Sequence, residues 1–94
     1  MTESILQDVR ECYITGAVDG LHRHHIYPGP RRRASEDWGC WVWLRADWHN
    51  LADYGVHFNR DLDRRLKSEC QRRFEALHGH DKFIAVFGKN YWED

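Results

Sequence analysis

Residues 21–30 read LHRHHIYPGP, so three histidines within four positions are followed closely by Pro-Gly-Pro. Residues 21–27 are predicted to form a strand, and the two prolines end it because proline has no backbone N–H to continue a ladder. In a regular strand His22 and His24 share one face, and His25 points to the other face. One ion therefore cannot bind all three imidazoles without a twist or bulge, and one histidine should have a different role.

The neighbouring segments complete a β-rich N-terminal half. Residues 11–16 and 21–27 contain β-branched or aromatic side chains and are separated by Asp19-Gly20, a turn signal that predicts a hairpin-like arrangement. Residues 31–37 are polar and predict a loop. Residues 38–44, WGCWVWL, are rich in aromatic and branched side chains, which favours a strand with two largely apolar faces.

From about residue 54 onward the hydrophobic pattern changes to that of a helix. The apolar residues recur every three or four positions, at Phe58, Leu62, Leu66, Cys70, Phe74 and Leu77. This spacing predicts one long amphipathic helix over residues 54–79, which Gly79 closes. Asp81 is predicted to cap a short C-terminal helix that Gly88 ends. The element order β, β, α, α predicts an α+β fold.

The length of 94 residues is enough for one hydrophobic core and too short for two. We therefore expect a single domain over residues 1–94, with an N-terminal extension at 1–10, the strands and the approach to a metal site at 11–57, and a C-terminal helix and tail at 81–94. Five Trp, four Tyr and four Phe allow this small core to bury much apolar surface. The three cysteines are widely spaced and form no CxxC pair, which predicts reduced thiols rather than disulfides or a cysteine zinc site.

The charge and the hydropathy pattern exclude several classes of function. A formal net charge of −1 means that any nucleic-acid binding needs a local basic patch. The longest purely apolar run, residues 40–44, is too short to span a membrane, and the start MTESILQDVRE lacks the pattern of a secretion signal. The expectation is a cytoplasmic protein with no membrane partner.

Two further histidines lie near the beginning of the predicted helix. His49 and His57 are eight residues apart, which in a continuous helix would separate them by about 12 Å along the axis. Two ligands at about 2.1 Å from one ion cannot span that gap. If both bind the same ion, residues 50–55 must form a loop that folds His49 back beside the start of the helix. The two histidines that flank Gly79 are expected to be structural, namely His78 and His80.

At these residues the sequence resembles HNH nucleases of the ββα-metal (His-Me finger) type, and in particular the small HNH-like proteins encoded by phages and prophages. The motifs that carry the resemblance are CYxTG at 12–16, LHxHHI at 21–26, WHN…GVHFN over 48–59 and FG[KR]xY at 87–91. The resemblance covers nearly the whole chain, and the central histidines are its most specific part. It implies a compact ββα-metal core, with a short antiparallel hairpin followed by the long helix.

The resemblance also implies an activity, which is hydrolysis of DNA phosphodiester bonds with one divalent metal ion. His25 would be the general base that takes a proton from the attacking water. His24, His49 and His57 would be the metal ligands, with open positions left for phosphate oxygens and water. The ion would stabilise charge as a Lewis acid, and Zn²⁺, Ni²⁺, Mn²⁺ and Mg²⁺ are not distinguishable from the sequence. Such a protein would process phage or prophage DNA in a bacterial host.

The sequence departs from this family in three places. The CxxC zinc knuckles of many members are replaced by CYIT and LRADW, so packing of a tryptophan-rich core must stabilise the fold. WGCWVWL contains no asparagine, so a backbone carbonyl or another side chain must orient His25. The separation of His49 from His57 is longer than the usual one-turn spacing, which makes Asn59 or Asp53 an alternative to His57 as a ligand.

Arg31, Arg32 and Arg33 follow the histidine strand directly, and they are predicted to contact DNA phosphates with weak or structure-directed specificity. The alternative for this triple arginine is a solvated loop. The alternative function is a catalytically inactive HNH-fold metal-binding module, or a phage-encoded inhibitor, that binds DNA or a protein partner. The sequence also leaves open a homodimer.

Overall fold

A computed structural model of the chain describes residues 2–92. Over these residues the fold is α+β, with an antiparallel pair of strands and three α-helices: β1 (Leu21–His25), α1 (Arg32–Asp37), β2 (Trp41–Arg45), α2 (Arg60–His78) and α3 (His80–Phe87). A short 3-10 turn at Gly29–Arg31 precedes α1, and a π-helical turn at Asp47–Leu51 follows β2. Within residues 2–92, no helix has both the length and the apolar character needed to cross a bilayer.

The register of the strand pair sorts its side chains onto two faces. Leu21 lies opposite Arg45 and His25 lies opposite Trp41. Residues directly opposite each other in an antiparallel pair share a face, and successive residues alternate. We call one side the histidine face and the other the tryptophan face. The histidine face carries His22, His24, Val42 and Leu44, and the tryptophan face carries Arg23, His25, Trp41 and Trp43.

The predicted pairing of residues 11–16 with the first strand was wrong. This segment closes on itself as a turn, because the Cys12 N–H donates to Ala17 O at 2.7 Å and the Gly16 N–H donates to Cys12 O at 2.8 Å. Gly16 has a positive φ of 79°, which suits a turn rather than a strand. The turn docks on β2, where the Tyr13 N–H donates to Trp43 O at 2.8 Å. The strand partner of β1 is therefore β2.

The predicted loop at residues 31–37 was also wrong, because Arg32–Asp37 forms α1. The buried Ser35 hydroxyl fixes this helix to the end of the histidine strand. It accepts a hydrogen bond from the Tyr27 N–H at 3.0 Å and donates to Tyr27 O at 2.9 Å. A contact between residues eight positions apart in sequence therefore orders a segment whose composition alone indicates a loop.

The long amphipathic helix is present but begins at Arg60 rather than at residue 54. Asn59 sets this boundary, because its side chain caps the helix by accepting the Leu62 N–H at 3.1 Å. The glycines end the helices as predicted, with the Gly79 N–H donating to Glu75 O and Gly88 in the left-handed region. No side-chain hydrogen bond caps α3, which begins at His80, so the predicted capping role of Asp81 was wrong.

The core joins the strand pair to α2 and α3. Its buried residues are Cys12, Ile26, Tyr27, Cys40, Val42, Leu44, Val56, Leu66, Cys70, Phe74, Phe83 and Phe87. The Tyr27 and Phe87 rings lie 4.4 Å apart at their centroids, and the Tyr27 hydroxyl donates to Lys67 O at 2.6 Å. Phenylalanine and tyrosine thus form the aromatic centre, whereas Trp38 and Trp48 pack at its edge. The three cysteines are buried and free.

Candidate metal centre

His24 lies on the histidine face of β1, against the apolar core. It is only 4 % exposed, and its Nε2 has no hydrogen-bond partner among residues 2–92. Burial, reinforced by the neighbouring imidazoles of His49 and His57, lowers the pKa of His24 to about 3. The ring is therefore neutral at physiological pH, and a neutral imidazole can offer a nitrogen lone pair to a metal ion.

His49 and His57 come from the segment between β2 and α2. His49 lies in the π-helical turn Asp47–Leu51, after which the chain reverses direction. The Val56 N–H donates to Trp48 O at 2.7 Å, and the His57 N–H donates to His49 O at 3.1 Å. These two backbone hydrogen bonds bring the two histidines side by side. The fold-back expected for two ligands of one ion is therefore present.

Gly55 makes this reversal sterically feasible. A Cβ atom at position 55 would lie 2.7 Å from Asp47 O, 3.0 Å from Ala52 O and 3.1 Å from His49 O. The nearest of these contacts is shorter than real Cβ atoms tolerate, and the neighbouring atoms belong to the backbone. A side chain here would therefore push the turn that carries His49 away from His57.

The three imidazoles of His24, His49 and His57 converge on one point. One ring nitrogen from each residue lies within 4.8 Å of the others, and the Nε2 atoms of His49 and His57 are 3.1 Å apart. Two nitrogens bound at about 2.1 Å to one ion lie about 3.0–3.4 Å apart at ordinary bond angles. His24 is buried, His49 is half-buried and His57 is exposed, so the cluster opens to solvent on one side. The donor set and the buried unpartnered nitrogen fit a divalent transition-metal ion.

His22 lies behind this cluster and contacts His49 from the other side. The two Nδ1 atoms are 3.1 Å apart, with the ring planes nearly perpendicular. Burial, reinforced by His57 and His22, lowers the pKa of His49 to about 4, so this ring is also neutral. A neutral imidazole carries one N–H. If the His49 Nδ1–H donates to His22, the His49 Nε2 presents its lone pair beside His57.

The two alternative ligands lie differently. Asn59 uses its side-chain oxygen to cap α2. Asp53 is exposed and does not belong to the group of convergent nitrogen, sulfur and carboxylate ligands found within residues 2–92. His78 packs on Trp38 and His80 pairs with Glu75 at the far end of α2, in the structural positions expected for them.

A carboxylate from α1 holds His25. The His25 Nε2 lies 3.3 Å from Glu36 Oε1, and Arg23 Nη1 donates to the two carboxylate oxygens at 2.8 and 3.1 Å. Burial opposes ionisation of Glu36, but the hydrogen bonds from Arg23 and His25 prevail and lower the pKa of Glu36 below its usual range. An ionised Glu36 accepts the His25 N–H. Sequence reasoning missed this residue, because nothing in residues 31–37 signals a helix that faces the strand.

One cavity of about 340 Å³ is lined by the three convergent histidines and by His25. Its lining includes His24, His25, His49 and His57, with Arg32 at the 3-10 turn side. His25 ends β1 and so reaches the same cavity as His24, even though the two residues belong to opposite faces. The His25 imidazole and the three convergent imidazoles therefore share one space.

The three arginines predicted to contact DNA separate in the fold. Arg32 lines the histidine cavity. Arg31 donates to Val86 O at 3.2 Å and so packs on the end of α3. Arg33 has a highly exposed side chain and lies 3.6 Å from Asp37. Of the three, Arg32 is the one placed to meet a group bound at the histidines.

Comparison of the chain with protein-family models, with curated proteins and with solved structures finds no match. Its function is therefore argued from the site itself.

Proposed function

We propose that this chain is a single-metal endonuclease of the HNH type, which hydrolyses phosphodiester bonds in DNA. The observation that carries the proposal is that two different histidine arrangements share one cavity. Three convergent imidazoles, one with a buried unpartnered nitrogen, stand beside a fourth imidazole that a carboxylate holds. A purely structural metal site needs the first arrangement but not the second.

His24, His49 and His57 would hold the ion. Imidazole ligands suit divalent transition metals, and the exposed side at His57 leaves room for substrate oxygens. When bound, the ion supplies Lewis-acid stabilisation of charge on the phosphoryl group and on the departing oxygen. The neutral state of His24 and His49 keeps both rings ready to act as ligands at physiological pH.

His25 would act as the general base. Because the ionised Glu36 accepts the proton on Nε2, the lone pair of His25 is on Nδ1 and takes the proton from the attacking water. The resulting imidazolium is stabilised by the same carboxylate at 3.3 Å. Glu36 thus performs the orienting role for which the sequence offered no asparagine. Arg32, on the wall of the cavity, would contact the phosphate.

The test is nicking of supercoiled plasmid in the presence of Mg²⁺, Mn²⁺, Ni²⁺ or Zn²⁺. The wild-type chain is expected to nick DNA with at least one of these ions. The His25→Ala variant should lose about 10²–10⁴-fold in rate, which is the usual contribution of a general base, while keeping the thermal shift that the ion produces. His24→Leu should lose both properties.

His80→Ala is the matched control, because His80 is exposed and pairs with Glu75 away from the cavity. It should nick at the wild-type rate. Ion binding without cleavage in the wild-type chain would favour the catalytically inactive metal-binding module. Wild-type cleavage by His25→Ala would remove the proposed base.

A further inference from the structure

A groove continues from the histidine cavity along α2. The next cavity, of about 370 Å³, is also lined by His24 and His57 and extends to Arg60 and Lys67. A third cavity, of about 310 Å³, shares Arg60 and Lys67 with the second and reaches the C-terminal segment. Each of the three cavities therefore shares lining residues with the next, and the second and third lie outside the histidine cavity. We call the outer two the α2 groove, with the side chains Arg60, Arg64, Lys67, Lys89, Tyr91 and Trp92.

The α2 groove concentrates positive charge in a chain whose net charge is −1. Among residues 2–92, its lining has four basic residues and one acidic residue, Asp63, which pairs with Lys67 at 2.8 Å. In sequence these basic residues alternate with acids, which is typical of an ion-paired surface. In the fold the charges separate, because the pair of Arg65 and Glu69 does not line the groove. The lining of the groove is therefore richer in basic than in acidic residues, and the groove adjoins the histidines.

The far end of the groove is aromatic. Trp92 is 46 % exposed, and Arg72 lies 5.5 Å from the centre of its ring. Two ammonium groups lie near the Tyr91 ring, with Lys67 at 5.6 Å and Lys89 at 5.3 Å from its centre. A basic track that ends in an exposed aromatic ring is the arrangement by which proteins hold single nucleic-acid strands, with phosphates on the cations and bases on the ring.

We propose that the α2 groove binds an unpaired DNA strand that continues from the phosphate held at the histidine cavity. The inference rests on the proposed function and adds the form of the substrate, namely DNA with a single-stranded flank. Arg60 and Lys67 are seven residues apart, so the track follows α2 for about 10 Å. Stacking on Trp92 requires a base that is free of a duplex, which selects the unpaired strand.

The experiment measures binding by fluorescence anisotropy in EDTA, so that no cleavage occurs and no ion is needed. The probes are a 12-nucleotide single strand and the duplex of the same sequence. The single strand is expected to bind more tightly. The Arg64→Gln/Lys89→Gln double variant should weaken single-strand binding about tenfold at low salt, and should make the slope of log affinity against log salt shallower by about 1.4, or about 0.7 for each contact.

The charge-matched control is Arg65→Gln/Lys82→Gln, which removes two exposed basic residues outside the groove. It should bind like wild type. Trp92→Ala should weaken single-strand binding about fivefold or more, whereas Trp92→Phe should retain most of it because a ring remains for stacking.

If the two double variants weakened single-strand binding equally, the binding would be general charge attraction, and the proposal that the α2 groove binds DNA would be wrong. Tighter binding of the duplex would overturn the assignment to an unpaired strand. Neither result depends on metal binding or cleavage. If the groove binds DNA as expected but plasmid is not nicked with any ion, the endonuclease proposal fails while the groove stands.

Discussion

The two faces of the β1–β2 pair are built from alternating residues, and they differ in how their polar groups are satisfied. On the tryptophan face, Arg23 lies 3.9 Å from the centre of the Trp41 ring and donates to Glu36, which also contacts His25. On the histidine face, His24 packs beside the fully buried Val42 while its Nε2 has no partner within the described part of the chain.

This difference supports the proposed metal site on the histidine face. A buried polar atom without a hydrogen bond destabilises the folded state by about 1–3 kcal/mol, so such atoms are uncommon in proteins. Where one occurs, a bound ion or ligand is often its missing partner. The tryptophan face is satisfied by the chain's own carboxylate and arginine. On the histidine face, the Nε2 of His24 has no such partner, and His24 belongs to the three-imidazole cluster. The comparison therefore supports the proposed metal site on the histidine face, whereas on the tryptophan face a carboxylate of the chain itself contacts His25.

The largest expected effect is on the response to metal. In His24→Leu, stabilisation by Ni²⁺ or Zn²⁺ should disappear, which amounts to about 4 kcal/mol at a thousandfold excess over the dissociation constant. Without metal the same variant should be more stable than wild type by about 1–3 kcal/mol, because a buried unpartnered nitrogen is removed. Urea unfolding with the ion and with EDTA measures both values. If the ion stabilised the variant as much as wild type, His24 would not be one of the residues that bind the ion.

The next largest effect is the acid sensitivity of the metal-free protein. In the fold the pKa of His24 is about 3 and that of His49 is about 4, against an ordinary value of 6.5. Below pH 6.5 the unfolded chain therefore binds protons that the folded chain does not, so stability falls as the pH falls. Between pH 6.5 and 5, His24 should account for about 2 kcal/mol of this loss, and the half-buried His49 for less.

Urea unfolding in EDTA at pH 7.0, 6.0 and 5.0 measures this loss, and the interval lies above the range where carboxylates titrate. His24→Leu should remove about half of the slope or more. An unchanged slope in that variant would mean that His24 is not the buried neutral group that separates the two faces.

Much of the fold follows from local patterns in the sequence. The spacing from Leu62 to Leu77 predicts α2, and the alternation around Val42 predicts β2, since one amphipathic period or apolar run specifies each element. The errors at residues 11–16 and 31–37 have a common cause. The first segment is closed by its own backbone hydrogen bonds, and the second is fixed by Ser35 on Tyr27. Partners of this kind leave no periodic signal.

The same distinction applies to the site. The sequence predicts that His49 and His57 meet only if the chain folds back; two backbone hydrogen bonds hold this reversal, and the close packing at Gly55 leaves no room for a side chain there. The partner of His25 could not be predicted, because Glu36 reaches it only after α1 has formed on the end of the strand. The sequence thus allowed the histidines of the site and the chain reversal between His49 and His57 to be predicted. Contacts between separate elements, such as the one between Glu36 and His25, could be identified only in the packed structure.

A smaller effect is expected when the support behind the cluster is removed. His22 contacts the His49 nitrogen that faces away from His57, so His22→Phe should keep a ring in place but lose the hydrogen bond that fixes the His49 tautomer. Loss of such a partner typically lowers metal affinity about 10–100-fold. Competition with a chromogenic chelator measures the dissociation constant. Wild-type affinity in this variant would mean that His22 only fills space on the histidine face.

The smallest effect lies on the tryptophan face and concerns rate alone. Glu36→Gln preserves the shape of the side chain but removes the charge that stabilises a protonated His25 and that binds Arg23. The maximal cleavage rate should fall about tenfold, which corresponds to about 1.4 kcal/mol in the transition state, while KM and the metal dissociation constant stay unchanged. Asp37→Asn, which alters the adjacent exposed carboxylate that pairs with Arg33, should cleave normally. A reduced metal affinity in Glu36→Gln would contradict the division between the faces, because the carboxylate would then support the ligands rather than the base.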